Sequence, residues 1–413
     1  MTPGSLLALR LVLLLATVVA PVSAAAAQAQ PNVLVLTHAN VIDGISPRPI
    51  HDATVAVRDG RIESVTVGSV TTPDGATVFD LKGRWLLPGL IDAHTHLGDL
   101  KTARAVLATG VTTARSLGTD RLTDVGIREL NHAGVIDLPD VVAAGYQIRR
   151  TVNETFFLDF PQLNDLMTGI RGPEAVRRIV RALAQRGVNV IKMMATERTA
   201  LPQTDPLRRV FTDEEMSAIT DEARKLGLAV AAHAYGAEGT AAAVRAGVRT
   251  IEHGTDLDDK TISIMKERGV CLVPTLYEHV TEAADGGPQH STFVMSRTGA
   301  MIPRLRETVV RARKAGVTIA AGSDGPGYGS DRWMPDEVAE LVAIGMTPME
   351  AIRAATSVAA ECLMISSRTG AVKAGLEADL IVLANDPLAD LRALRDVVLI
   401  INNGKVALRR AEF

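Results

Sequence analysis

The sequence predicts an α/β protein: a (β/α)8, TIM-like barrel with a small β-sandwich domain built from both termini. Three observations carry this reading. Between residues 91 and 323, eight short apolar runs alternate with helical stretches, the pattern of a parallel sheet enclosed by its crossover helices. A β-rich segment precedes that region and another follows it, and two such segments pair most simply with each other. The polar residues with metal-ligand chemistry fall at the ends of the apolar runs, at the rim where such barrels carry their chemistry. A chain of 413 residues accommodates one barrel and one accessory domain. The boundaries read as 30–87 and 367–413 for the small domain and 88–366 for the barrel.

The chain opens on a leader. Arg10 precedes an apolar run at 11–20, and Val22-Ser23-Ala24 and Ala27-Gln28-Ala29 offer small-residue cleavage sites. Residues 1–29 therefore read as a secretory signal peptide, too short to span a bilayer, and imply a periplasmic or secreted protein. A net charge of −3 gives no reason to invoke nucleic acid or, once the leader is removed, a membrane. Cys271 lies in an apolar strand and Cys362 in a helical pattern, which reads as two buried free thiols rather than a disulfide.

Runs at 33–36, 54–57 and 62–67 read as strands, and Asp59-Gly60 between the last two is a hairpin signal. Runs at 379–383 and 397–401, then Asn403-Gly404 and 405–408, repeat the pattern at the other end. The barrel strands are expected at 91–96, 111–117, 141–146, 190–194, 229–233, 250–253, 270–276 and 318–323. Thr212 to Glu215 is a capping signature for one helix, closed by Gly227. A basic turn before Gly316 closes another. Two connections read as long loops. Residues 147–172 include Phe156, Phe157 and Phe160, three of the chain's seven phenylalanines, and residues 278–302 include the turn Asp285-Gly286-Gly287-Pro288.

The centre of the sequence is Leu86-Leu87-Pro88-Gly89-Leu90-Ile91-Asp92-Ala93-His94-Thr95-His96. Alternate residues of a strand share a face, so His94 and His96 leave a strand end side by side, an arrangement that suits zinc. The other strand ends supply Lys192, His233 with Tyr235 two residues on, Glu252-His253-Gly254 and Ser323-Asp324-Gly325. Scattered core histidines would not all fall at one rim.

These residues resemble the amidohydrolase superfamily of metal-dependent hydrolases. The resemblance spans nearly the whole chain after the leader. His-Ala-Tyr-Gly, Glu-His-Gly-Thr and Gly-Ser-Asp are similar to its imidazolonepropionase-like branch, which includes Xaa-Pro dipeptidases, carboxypeptidases and hydrolases of the ochratoxin A amide. The resemblance implies two divalent metal ions, most simply Zn2+. His94, His96 and Asp324 would hold one and His233 and His253 the other, with carboxylated Lys192 bridging them. An ammonium has donors and no acceptor, whereas a carbamate is anionic and offers two oxygens. It also implies cleavage of the amide of N-acyl or aminoacyl amino acids through a metal-bridging hydroxide, with Asp324 carrying the proton.

Tyr235 either contacts the substrate or packs at the rim. Arg149, Arg150 and Arg198 either receive a substrate carboxylate or lie on the surface. Phe156 and Phe157 either meet an apolar substrate group or form a homo-oligomer contact. Two rival readings are a mononuclear cyclic-amide hydrolase of the imidazolonepropionase type and a catalytically inactive binding protein of the same fold.

Overall fold

A computed structural model describes residues 33–199, 202–285, 291–325 and 333–413. The leader expected at 1–29 and the turn residues Gly286, Gly287 and Pro288 lie outside the described residues. The segment from Asn32 to Phe413 forms one compact unit.

The strands come in three groups. The first is β1 (Val33–Val41), β2 (Ile50–Arg58), β3 (Arg61–Val67), β4 (Thr77–Asp80) and β5 (Trp85–Pro88). The second alternates with helices: β6 (Leu90–Thr95), β7 (Val111–Ser116), β8 (Asp140–Ala143), β9 (Val190–Met194), β10 (Ala229–Ala234), β11 (Thr250–His253) and β12 (Cys271–Val273). The third is β13 (Leu380–Leu383), β14 (Val397–Asn402) and β15 (Lys405–Arg409).

The first and third groups hydrogen-bond into one eight-stranded sheet, in the order β15-β14-β13-β5-β1-β2-β3 with β4 also on β1, rather than into two separate sheets. The branching has a local cause. The register of β1 shifts between Leu36 and Ala39, so its first half takes β4 and its second half takes β5. The two ends of the chain meet where β13 runs antiparallel to β5. Alternation then divides the side chains. Leu86, Val382, Leu399 and Ile401 join a core with Leu36, Val55 and Phe79. Leu87, Ile381 and Ile400 pack into the larger core that the helices share. Strands buried on both faces read as continuous apolar runs, which is how Leu380-Ile381-Val382-Leu383 reads.

Both hairpin turns form. Asp59-Gly60 and Asn403-Gly404 each have two successive positive φ values (50° and 83°; 50° and 73°), as a tight two-residue turn requires. The turns also touch: a Cβ on Gly404 would stand 2.3 Å from the Gly60 Cα.

The second group forms two parallel arcs, β6-β7-β8 and β9-β10-β11-β12. Hydrogen bonds join them. Ile148 donates to Lys192 O (2.8 Å), and Met194 donates to Ile148 O (3.0 Å). The segment expected as an eighth strand at 318–323 carries isolated bridges instead, Leu272 to Ile319 and Thr95 to Gly325. Even so, it hydrogen-bonds on both sides, through Ala320 N to Leu272 O (3.0 Å) and Ala93 N to Ala321 O (3.0 Å). Inside lie small side chains, among them Ala93, Ala144, Ala231 and Ala320.

Thr212 and Glu215 form the expected capping box on the helix Asp213–Lys225, and Gly316 ends the helix Thr292–Ala315 in the left-handed conformation. The reading of 278–302 as a loop is corrected: helices Leu276–Asp285 and Thr292–Ala315 occupy most of it. The thiol reading is also corrected. Cys271 and Cys362 form a disulfide, with Cα atoms 6.0 Å apart. The helix Ser357–Cys362 packs in the same small-residue cluster as β12, and Arg249 donates to the Cys362 carbonyl (3.1 Å). The contact joins residues 91 apart in sequence, so no local spacing announces it.

Candidate metal centre

The strand ends supply one cavity of about 450 Å3, lined by His94, His96, Lys192, His233, His253 and Asp324, with Tyr235 beside them. What holds each side chain can be followed outward from β6. Asp92 accepts from the Ser323 hydroxyl (2.6 Å), the Ser323 amide (3.0 Å) and the His94 amide (3.1 Å). It thereby ties β6 to the segment that carries Asp324. Burial pushes the Asp92 carboxyl up to about 7, against the pull of Ser323. Asp324 sits at φ +53°, and its amide donates to His94 O (2.8 Å).

Each histidine is gripped on one ring nitrogen. His96 Nδ1 donates to Gly118 O (2.8 Å), and His233 Nε2 donates to Glu197 O (3.1 Å). His253 Nδ1 meets Thr275 Oγ1 (2.8 Å). His94 Nδ1 stands 3.0 Å from Glu252 Oε2. Arg115 donates to Glu252 Oε1 (2.9 Å), to Thr250 Oγ1 (3.0 Å) and to Ala93 O (2.7 Å). Arg115 is 2 % exposed and Glu252 is 0 % exposed, so this pair lies sealed beneath the cavity.

The other ring nitrogens face inward. His94 Nε2 stands 3.3 Å from Asp324 Oδ1, and His96 Nε2 stands 3.0 Å from it. Lys192 Nζ is 3.3 Å from His94 Nε2. His233 Nδ1 is 2.9 Å from His253 Nε2. Burial holds the imidazoles of His94, His233 and His253 well below their ordinary range, so they are neutral. A neutral imidazole has one N–H. For His233 it points at a carbonyl, so the inward nitrogen carries a lone pair; His94 Nδ1 and Glu252 Oε2 lie 3.0 Å apart without hydrogen-bond alignment, and the Glu252 charge favours the His94 proton on that side. Burial alone would raise Asp324, but the hydrogen bond from His96 and the Lys192 charge hold its carboxyl well below the usual range. The inward nitrogens of His94 and His96 thus meet an anionic oxygen, a set of groups that can turn acceptors toward a divalent cation. The liganding atoms of His94, His96 and Asp324 lie within 4.8 Å of one another. Burial lowers Lys192 to about 8, opposed by Glu252 and Asp324, so a minor fraction of it is already the neutral amine near neutrality.

Tyr235 stacks on His253 with ring centroids 4.8 Å apart, and its hydroxyl lies 3.3 Å from Thr199 Oγ1. Burial, aided by Glu282, raises its phenol well above the ordinary range, so it stays a donor. Arg149 and Arg198 line the cavity, and both donate to Gln147 Oε1 (2.8 and 2.7 Å). Neither has a carboxylate partner within ion-pair distance among the described residues.

Three expectations are corrected. Arg150 does not line this cavity. It makes a bidentate bond to Glu215 (2.6 Å on each oxygen) that braces the capping box. Phe156 and Phe157 are buried in the core, where Phe156 packs on Tyr146 and Phe160 (centroids 5.2 and 4.9 Å). Asn153 caps the helix Glu154–Asp159 that carries them, and the connection 147–172 folds inward because those rings find partners.

The sequence reading missed Glu252, Arg115, Asp92 and the helix Leu276–Asp285, which brings Glu278, His279 and Glu282 to the cavity. The spacing of Glu278 and Glu282 was a usable signal, since residues four apart share a helix face.

The amidohydrolase family matches residues 85–407. An uncharacterised protein of Mycobacterium tuberculosis is 32 % identical over 356 residues, covering 84 % of this chain and 90 % of that protein. Ochratoxinase of Aspergillus niger is 29 % identical over 354 residues, covering 75 % of this chain and 72 % of its own. The crystal structure of a Xaa-Pro dipeptidase with methionine bound in its active site superposes with a TM-score of 0.81 at 27 % identity, covering 91 % of this chain and 99 % of the other. These neighbours imply a TIM-like barrel for the arcs described above. The chain belongs to the amidohydrolase family and is a hydrolase of amide C–N bonds.

Proposed function

We propose that this enzyme cleaves the amide of N-acyl or aminoacyl amino acids with two divalent metal ions, most simply zinc, at the cavity of His94, His96, Lys192, His233, His253 and Asp324. One observation carries the reading: the inward nitrogens of His94 and His96 both face Asp324 Oδ1, and the three liganding atoms lie within 4.8 Å of one another. That arrangement is costly when dry and favourable around a cation. When bound, such metals polarise a carbonyl and make water a nucleophile near neutral pH.

The chain's own residues do the rest. Asp324, kept anionic, takes a proton from the attacking water and delivers it to the leaving nitrogen. Tyr235, kept protonated, donates to the oxygen on which charge develops. Arg149 and Arg198 seat the carboxylate of the released residue. Burial, with Arg198 beside it, lowers Arg149 to about 10, and an anion would relieve that repulsion. Lys192, partly neutral, can take up CO2 and offer two oxygens to the metals. The export reading of residues 1–29 stands with this proposal. A disulfide between Cys271 and Cys362 supports it, since such bonds persist outside the cytosol.

The test pairs metal analysis with a panel of dipeptides and N-acyl amino acids. About two metals per chain and release of the C-terminal amino acid are expected. Asp324→Asn should abolish turnover and keep most of the metal. The compact group of His94, His96 and Asp324 favours one rival, a mononuclear cyclic-amide hydrolase. One metal per chain, with no residue released, would select it.

A further inference from the structure

One wall of the cavity has no part in the chemistry above. The helix Leu276–Asp285 presents Glu278, His279 and Glu282 to the space that Tyr235 and Asp324 also line. His279 Nδ1 donates to Thr275 O (3.0 Å). A carbonyl only accepts, so in the neutral ring Nε2 carries the lone pair. That atom is buried without a hydrogen-bond partner among the described residues, on a side chain 1 % exposed. The ring lies 5.7 Å from Tyr235 and 5.6 Å from His253, centroid to centroid. Glu282 accepts from the hydroxyls of Thr298 (3.0 Å) and Thr199 (3.4 Å), which fix its carboxylate. Burial, with Asp324 and Glu282 nearby, pushes the Glu278 carboxyl well above the ordinary range. Apart from the Glu278 acid proton, which an arriving cation would displace, the wall is built of acceptors, in the same cavity as Arg149 and Arg198, which have no carboxylate partner among the described residues.

We propose that Glu278, His279 and Glu282 form a subsite for the substrate's free ammonium group, so that the enzyme prefers unblocked dipeptides to N-acyl amino acids. This rests on the amide-hydrolase reading and narrows its substrate. An ammonium has three donors and no acceptor, the complement of this wall. In a dipeptide one carbon separates the amine from the scissile carbonyl, so its subsite has to adjoin the histidines, as His279 does. Acylation removes the charge and two donors, leaving the buried His279 Nε2 unpaired. A site built around a donor rejects an analogue that lacks it more strongly than an apolar pocket rejects an extra methylene.

The test uses the metal-loaded full chain and a phosphinate isostere of Ala-Phe, with the amine free or acetylated. Both resist hydrolysis, so calorimetry reads binding without turnover. The free amine should bind at least about tenfold more tightly, a difference of about 1.4 kcal/mol. Glu278→Gln and, separately, His279→Leu should collapse that ratio, with melting temperature and metal content showing that each variant is folded and loaded. Equal affinities, tighter binding of the acetylated form, binding of neither, or a ratio that survives both substitutions overturns the subsite. If the amine preference is found but Ala-Phe is not hydrolysed, the subsite stands and the proposed cleavage of aminoacyl amino acids falls. If Ala-Phe and N-acetyl-Ala-Phe turn over with equal kcat/KM, the subsite falls and that reading stands.

Discussion

Under His94 a carboxylate and a guanidinium decide which ring nitrogen is offered to the cavity. Glu252 meets Nδ1, and Arg115 holds Glu252. Outer partners of this kind orient the liganding ring and raise its basicity. Glu252→Gln should therefore weaken metal retention by about 10–100-fold, read by competition with a chelator, while the fold persists. Arg115→Met is a harsher change, because it leaves the Glu252 charge buried and unpaired. It should cost about 3–5 kcal/mol in urea denaturation. The six side chains read from rim positions all line the cavity, because strand alternation and the rim rule are local. The Arg115–Glu252 pair was not legible, although Glu252 is adjacent to His253. Its partner lies 137 residues away, and no spacing in the sequence connects them.

Among the elements, the largest departures from the sequence reading fall in the two connections that looked like loops. In 147–172, Phe156 and Phe160 became core because Tyr146 and Ile170 lie in reach to cover them. In 278–302, the Asp-Gly-Gly-Pro turn outweighed the short apolar stripe of Leu276, Val280 and Ala284, and hid a helix whose polar face lines a cavity rather than solvent. Periodicity reports which face is apolar, not what the other face meets. The hairpin turns were legible, since Asp-Gly and Asn-Gly carry their own backbone requirement. Their mutual contact was not. Gly404→Ala would force a β-carbon into Gly60 at a φ of +73°. It should destabilise the enzyme by more than about 1 kcal/mol, lowering the melting temperature while leaving the cavity's residues untouched.

For the molecule as a whole, the disulfide pins β12 to the helix Ser357–Cys362 beneath the arcs. Replacing both cysteines by alanine should cost about 2–4 kcal/mol, and a reducing agent should lower the wild-type melting temperature toward that of the variant. Two cysteines far apart in sequence carry no geometry, so only the folded chain reveals that they meet. The pairing of β5 with β13 has a further consequence. It joins residues 85–88 to residues 380–383, so the edge of β5 stays bare until almost the whole chain has been made. Strand pairings of such long range form slowly, and an uncovered strand edge invites the wrong neighbour. A ribosome or a translocon would thus release this enzyme with its first strands still waiting, and a chaperone that shields them should raise its yield more than one that speeds helix formation.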